Sequence, residues 1–236
     1  MERTVVIDCF SESLTRYRDG YAVVVVDVIR ATTTAVTGVA MGRRCFPTPS
    51  LEAALPLAAR LDNPLLVGEL GGNMPYGFDS TNSPAALARR SDIPRPMILL
   101  STSGTKVLYE ARQCAAVYAA CLRNYTAQVR FLEARHPKVA VIGAGTRREF
   151  REEDQMCCAW IAEGLINAGY RPRGEQTASL VERWKNAPVD AFCGSKSVEY
   201  LTNTGQLSDL DFILAHIDDV SAAFTLKNGE ITGVPV

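Results

Sequence analysis

Short β-branched and aliphatic runs recur along this chain, at residues 21–28, 65–68, 96–100, 115–120 and 138–143, with helix-like stretches between them. The intervening patterns predict helices at 31–41, 51–61, 84–90, 106–112 and 123–135. Strand and helix alternating at this spacing reads as βαβ units with parallel strands. Crossovers of this length suit a sheet covered on both faces. The fold expected is α/β, a three-layer sandwich around a largely parallel sheet.

A further helix is predicted at 152–168, after which the strand signal fades and helical patterns return near 177–186 and 195–201. Lys227-Asn228-Gly229-Glu230 reads as a hairpin, because Asn-Gly favours positive φ at both central positions. The expectation is one domain over 1–236, in which the part beyond about residue 170 is either a smaller subdomain or an extension of the sheet.

Composition narrows the function classes. Apolar residues make up 47% and charged ones 22% of the chain, ordinary for a globular domain and too apolar for disorder. The formal net charge is -1 and no lysine-rich run occurs, so no electrostatic footprint for nucleic acid is expected. Seven cysteines, an odd number without repeated C-x-x-C spacing, read as reduced and mostly buried thiols rather than zinc ligands. No signal-peptide pattern or membrane-spanning run is evident, and a cytoplasmic location is the expectation. The sequence leaves the oligomeric state open, a homo-oligomer included.

Polar, chemically capable residues stand just after the strand-like runs, where ligands bind in open parallel sheets. After 21–28 come Asp27, Arg30, Thr32, Thr33 and Thr34: a carboxylate able to ligate a cation, a guanidinium able to fork onto phosphate, and hydroxyls at a helix start. Glu69 and Asp79 add hard oxygen donors around Gly71, Gly72 and Gly77. Ser101 to Lys106, with Ser103, Gly104 and Thr105, places hydroxyls, a glycine and a cation between strand and helix, as in an oxyanion cradle. Each feature has a structural counterpart. Asp27 and Ser83-Pro84 also read as helix starts, the acids at 152–154 suit a helix N-terminus, and Thr146-x-x-Glu149 reads as a capping box.

Several schemes are disfavoured. Arg148 stands where a dinucleotide-binding loop beginning at Gly143 needs its third glycine, and the phosphate-binding P-loop pattern is absent. No cysteine is followed six residues later by arginine, and His136 and His216 belong to no metal-spaced cluster.

These pieces occur together in an order and spacing that resembles the 2-phosphosulfolactate phosphatase family: Asp27-x-x-Arg30-Ala31-Thr32-Thr33-Thr34, Gly68-Glu69, Gly77-Phe78-Asp79-x-x-Asn82-Ser83-Pro84, Ser101-Thr102-x-Gly104-Thr105, Asn124, Ala144-Gly145 and Glu153-Asp154. The resemblance covers roughly residues 20–168. It implies an α/β fold, a Mg2+ requirement, and hydrolysis of phosphosulfolactate to sulfolactate and phosphate on a route to coenzyme M. Three positions depart from the family pattern: Leu70 and Lys106 stand where arginine is usual, and Ser103 replaces asparagine.

On this reading Asp27, Arg30, Glu69 and Asp154 are the catalytic candidates, and Asp27, Glu69, Asp79 and Asp154 the metal candidates. Arg30, Thr32 to Thr34, Asn82, Ser103 to Lys106 and Asn124 are expected to bind a small anionic phosphomonoester. Two alternatives stay open. One is a haloacid-dehalogenase-like phosphatase with Asp27 as nucleophile, although Ile29 occupies the place of that mechanism's second aspartate. The other is a non-catalytic anion or nucleotide-binding protein.

Overall fold

In the computed structural model, which describes residues 2–146 and 148–236, the valine-rich run forms a strand, Ala22–Val26, with every side chain buried. Its residues divide between two cores. Ala22, Val24 and Val26 join Leu132, Ile161 and Leu165 on one side, while Val23 and Val25 join Val36, Val107 and Leu108 on the other. Because successive strand side chains point to opposite faces, this division places helices on both faces of the sheet, as expected of a three-layer α/β fold.

The strands are β1 (Thr4–Cys9), β2 (Ala22–Val26), β3 (Cys45–Thr48), β4 (Leu65–Gly68), β5 (Met97–Leu100), β6 (Ala116–Ala120), β7 (Lys138–Gly143), β8 (Arg171–Pro172), β9 (Ala222–Lys227) and β10 (Glu230–Pro235). The helices are α1 (Ala31–Ala40), α2 (Leu51–Ala58), α3 (Pro84–Ala88), α4 (Gly104–Glu110), α5 (Tyr125–Glu133), α6 (Glu152–Asn167), α7 (Glu175–Trp184), α8 (Lys196–Asn203) and α9 (Leu207–Ala215). Among the described residues the strands make one ten-stranded sheet in the order β4-β5-β3-β10-β9-β6-β2-β7-β1-β8.

The predicted hairpin forms at Asn228 and Gly229, with φ of 53° and 82°. Its place in the sheet is central. β10 pairs antiparallel with β3 and β9 antiparallel with β6, so the hairpin joins two parallel groups of strands. The last part of the chain therefore extends the sheet, while α7, α8 and α9 bury Trp184, Leu201 and Ile213 in the core under α6. No helix among the described residues is long and apolar enough to cross a membrane.

Candidate active site

Four loops that leave the carboxyl ends of parallel strands converge on one cavity of about 490 Å³, the edge where such sheets bind ligands. After β2, the turn into α1 is closed by its own side chains. Thr32 Oγ1 donates to the Asp27 carbonyl and accepts from the Asp27 amide, both at 2.9 Å, and Thr33 Oγ1 donates to the Val28 carbonyl at 2.7 Å. These bonds fix Asp27, whose Oδ1 accepts from the Ala31 amide at 3.1 Å. Its Oδ2 lies against Gly104, where a Cβ would sit 2.3 Å away. Glycine at 104 is therefore what allows the β5 loop to close on Asp27.

That loop is tied to itself and to the loop after β4. Thr105 Oγ1 accepts from the Ser101 amide at 2.9 Å and donates to the Ser101 carbonyl at 3.0 Å. Glu69 accepts from the Thr102 amide at 2.7 Å, and from the Thr102 hydroxyl and the Gly72 amide at 2.8 Å each. Ser103 meets Thr146, beyond β7, hydroxyl to hydroxyl at 3.3 Å.

Burial is the largest influence on the acids. It pushes the Asp27 carboxyl up to about 7; the Ala31 amide and Arg30 oppose the rise, while Glu69 and Glu153 add to it. Asp154 is buried behind Asp27, with Oδ1 accepting from the Val28 amide at 2.8 Å. Burial and then the Asp27 charge hold it well above the usual carboxylate range. Burial also raises Glu153, with the Ser197 and Ser195 hydroxyls opposing, and its Oε2 has no partner.

Of the residues singled out from the sequence, Asp27, Arg30, Glu69, Asn82 and Ser103 line the cavity. Arg30 does so while its Nη1 donates to Asp209 Oδ2 at 2.6 Å and to Gln206 Oε1 at 2.5 Å. The others lie elsewhere. Asp79 accepts from the Leu66 amide and pairs with Arg95. Lys106 is half exposed and 3.9 Å from Glu110. Asn124 Oδ1 accepts from the Cys121 amide and closes the turn after β6. Thr32, Thr33 and Thr105 serve their own loops, and the Thr34 hydroxyl is buried without a partner. Thr146 and Glu149 do not form a capping box. Their backbones exchange two N–H to carbonyl bonds at 3.0 Å, and α6 begins only at Glu152.

Sequence reasoning missed the other wall. Arg151, Lys196, Ser197, Glu199 and Tyr200 also line the cavity, and Tyr200 donates to the Gly72 carbonyl at 2.7 Å. The amphipathic pattern of α8 reveals a helix packed on a core, not which cavity its polar face borders. Arg30 and Ser83 were legible, but their shared partner Asp209, more than a hundred residues on, was not.

A carboxylate-rich cavity with an arginine and strand-end hydroxyls is the kind of site that handles phosphate esters. The model of the 2-phosphosulpholactate phosphatase family matches residues 9–229, and the chain belongs to that family of phosphoric monoester hydrolases. It is similar to the "Probable 2-phosphosulfolactate phosphatase" of Deinococcus radiodurans, at 32% identity over 80% of both chains. The proteins of the same name from Thermus thermophilus, 33% identical over 80% of this chain and 81% of the other, and Carboxydothermus hydrogenoformans, 32% over 81% and 80%, are similarly related. Of the three departures from the family pattern, only Ser103 lines the cavity.

Proposed function

We propose that this chain hydrolyses 2-phosphosulfolactate, or a closely similar small anionic phosphomonoester, to the hydroxy acid and phosphate, with Mg2+ as cofactor. The observation that carries this reading is the meeting of Asp27, Arg30, Glu69, Asn82 and Ser103 on one cavity in a chain of this family.

The donor set fits a hard cation. Asp27 uses Oδ1 to accept from the Ala31 amide, and the Asn82 amide oxygen is buried without a partner. The cavity is lined by the carboxylates of Asp27, Glu69, Glu149 and Glu199 against the cations Arg30, Arg151 and Lys196. An anionic ester entering such a lining gains from added positive charge. Among the described residues no group of three acidic, histidine or cysteine side chains makes a metal cage by itself. Mg2+ commonly binds through one or two carboxylates plus substrate phosphate and water, so Asp27, with Asn82 and Glu69 alongside, would suffice to hold it. When bound, it supplies charge that polarises the phosphoryl oxygens.

The chain's own groups do the rest. Arg30 is held by Nη1, which leaves the other guanidinium nitrogens to donate to phosphoryl oxygens. The Ser103 hydroxyl adds a donor beside Asp27. Glu69 and Glu153 add to the rise of the Asp27 carboxyl, which a bound cation would oppose. Overall, a water oxygen forms a bond to phosphorus, the ester P–O bond breaks, and a proton ends on the departing oxygen to give the hydroxy acid.

The test is phosphate release from 2-phosphosulfolactate, 2-phospholactate and a neutral monoester, with Mg2+ and with chelator. Release from the acidic esters that depends on Mg2+ is expected. No release from any ester would refute the phosphatase reading, and equal release in chelator would refute the metal.

A further inference from the structure

The cavity has a cationic wall that faces away from the Asp27 loop in sequence and joins it in space. Glu149 bridges two cations from different elements: Arg151 Nη1 lies 2.9 Å from Glu149 Oε2, and Lys196 Nζ lies 2.5 Å from Glu149 Oε1. All three line the cavity. Arg151, immediately before α6, is largely buried, with 14% of its side chain exposed, while Lys196, the first residue of α8, is 67% exposed. The wall connects to the reacting end through Thr146, whose backbone pairs with Glu149 and whose hydroxyl meets Ser103.

Packing does not require this arrangement. The Lys196 to Glu149 pair is too exposed to contribute much stability, and Arg151 carries five N–H donors in a planar fork of which Glu149 engages one nitrogen. A guanidinium with donors to spare, lining a cavity with a second cation held by the same Glu149, matches the planar carboxylate or trigonal sulfonate of a small acid.

We propose that Arg151 and Lys196 form the subsite for the non-phosphoryl anions of the substrate, and so set a preference for phosphomonoesters that carry a carboxylate or sulfonate next to the ester carbon. This rests on the phosphatase reading, with the phosphoryl group at the Asp27 end and the acid groups at the Glu149 end.

Two readouts test it. In Arg151→Gln and Lys196→Gln, kcat/KM for the doubly acidic ester, divided by that for a neutral monoester in the same variant, should fall about tenfold for each charge-assisted contact removed, mainly through KM. Lys196→Arg should restore much of the ratio. Separately from turnover, calorimetry with sulfolactate should show binding to the wild type that weakens about tenfold in each Gln variant. Lys196 is exposed, so its variants should fold. Unchanged sulfolactate affinity in both Gln variants, or equal loss on acidic and neutral esters, would overturn the subsite. Absence of phosphate release by the wild type would overturn the phosphatase reading instead, and the sulfolactate titration would still decide the subsite.

Discussion

Arg30 Nη1 lies 2.6 Å from Asp209 Oδ2, and both side chains are almost wholly buried. The other oxygen of the same carboxylate accepts from the Ser83 hydroxyl at 2.6 Å and the Ala85 amide at 3.1 Å. One acid from α9 thereby holds the first residue before α1 and the start of α3, and the C-terminal segment becomes part of the site's frame.

Removing one partner of a buried pair strands the other charge, which typically costs about 3 to 5 kcal/mol. Asp209→Ala should therefore lower unfolding stability by that order in a denaturant titration, and should lower kcat/KM as Arg30 loses its anchor. Arg30→Lys should lower kcat/KM by about 2 to 4 kcal/mol of transition-state binding, since an ammonium cannot reproduce the fork. Wild-type kcat/KM in folded Arg30→Lys would remove Arg30 from the reaction.

Gly104→Ala places a methyl where Asp27 Oδ2 now lies, 2.3 Å away, and 2.8 Å from the Ala31 Cβ. Either the β5 loop or Asp27 must move. Overpacking of this kind costs about 1 to 3 kcal/mol, so a modest fall in Tm should accompany a much larger fall in phosphate release. Full activity in this variant would show that the close approach of Gly104 to Asp27 is not needed.

The acids give the metal-free protein a pH dependence of defined sign. Asp27 is raised from an ordinary value of 3.8 to about 7, so between those values the folded state binds more protons than the unfolded one. The Asp27 contribution to stability is fully present below 3.8 and is lost as pH rises through about 7. Asp154 and Glu153, also raised, act in the same direction. Stability measured in chelator should fall over this range, Mg2+ should reduce the fall, and Asp27→Asn should flatten it. A metal-free stability that rises from pH 4 to 7 would contradict the raised carboxylates.

Much of the fold was legible because its signals are local. The runs at 65–68 and 138–143 became strands with those bounds, and Asn228-Gly229 dictated its own turn. What escaped was nonlocal or masked by residue type. β3 contains Pro47, which weakens a strand signal, and the insertion of β9 and β10 into the middle of the sheet depends on pairing with strands far away in sequence. The strand-end rule found Asp27, Glu69 and Ser103 because parallel strands deliver their loops to one edge. It also gathered Asn124, which closes its own turn onto Cys121, and the neighbouring segments brought in Asp79 and Lys106, which serve Arg95 and Glu110. Arg151 and Lys196 follow no strong strand signal and enter the site only through tertiary packing.

The negative charge of Asp27 is the central requirement of the proposed site. Its Oδ1 accepts the Ala31 amide as a helix-start residue would, and asparagine serves that purpose about as well as aspartate. Asp27→Asn should therefore keep the fold and that hydrogen bond while removing the negative charge that a hard cation requires. Phosphate release from 2-phosphosulfolactate at saturating Mg2+, compared between wild type and Asp27→Asn with thermal unfolding as control, should fall at least a hundredfold, on the order of losing one charged group at a shielded site. Activity close to wild type in a normally folded Asp27→Asn protein would mean that Asp27 only starts a helix, and would contradict the site described.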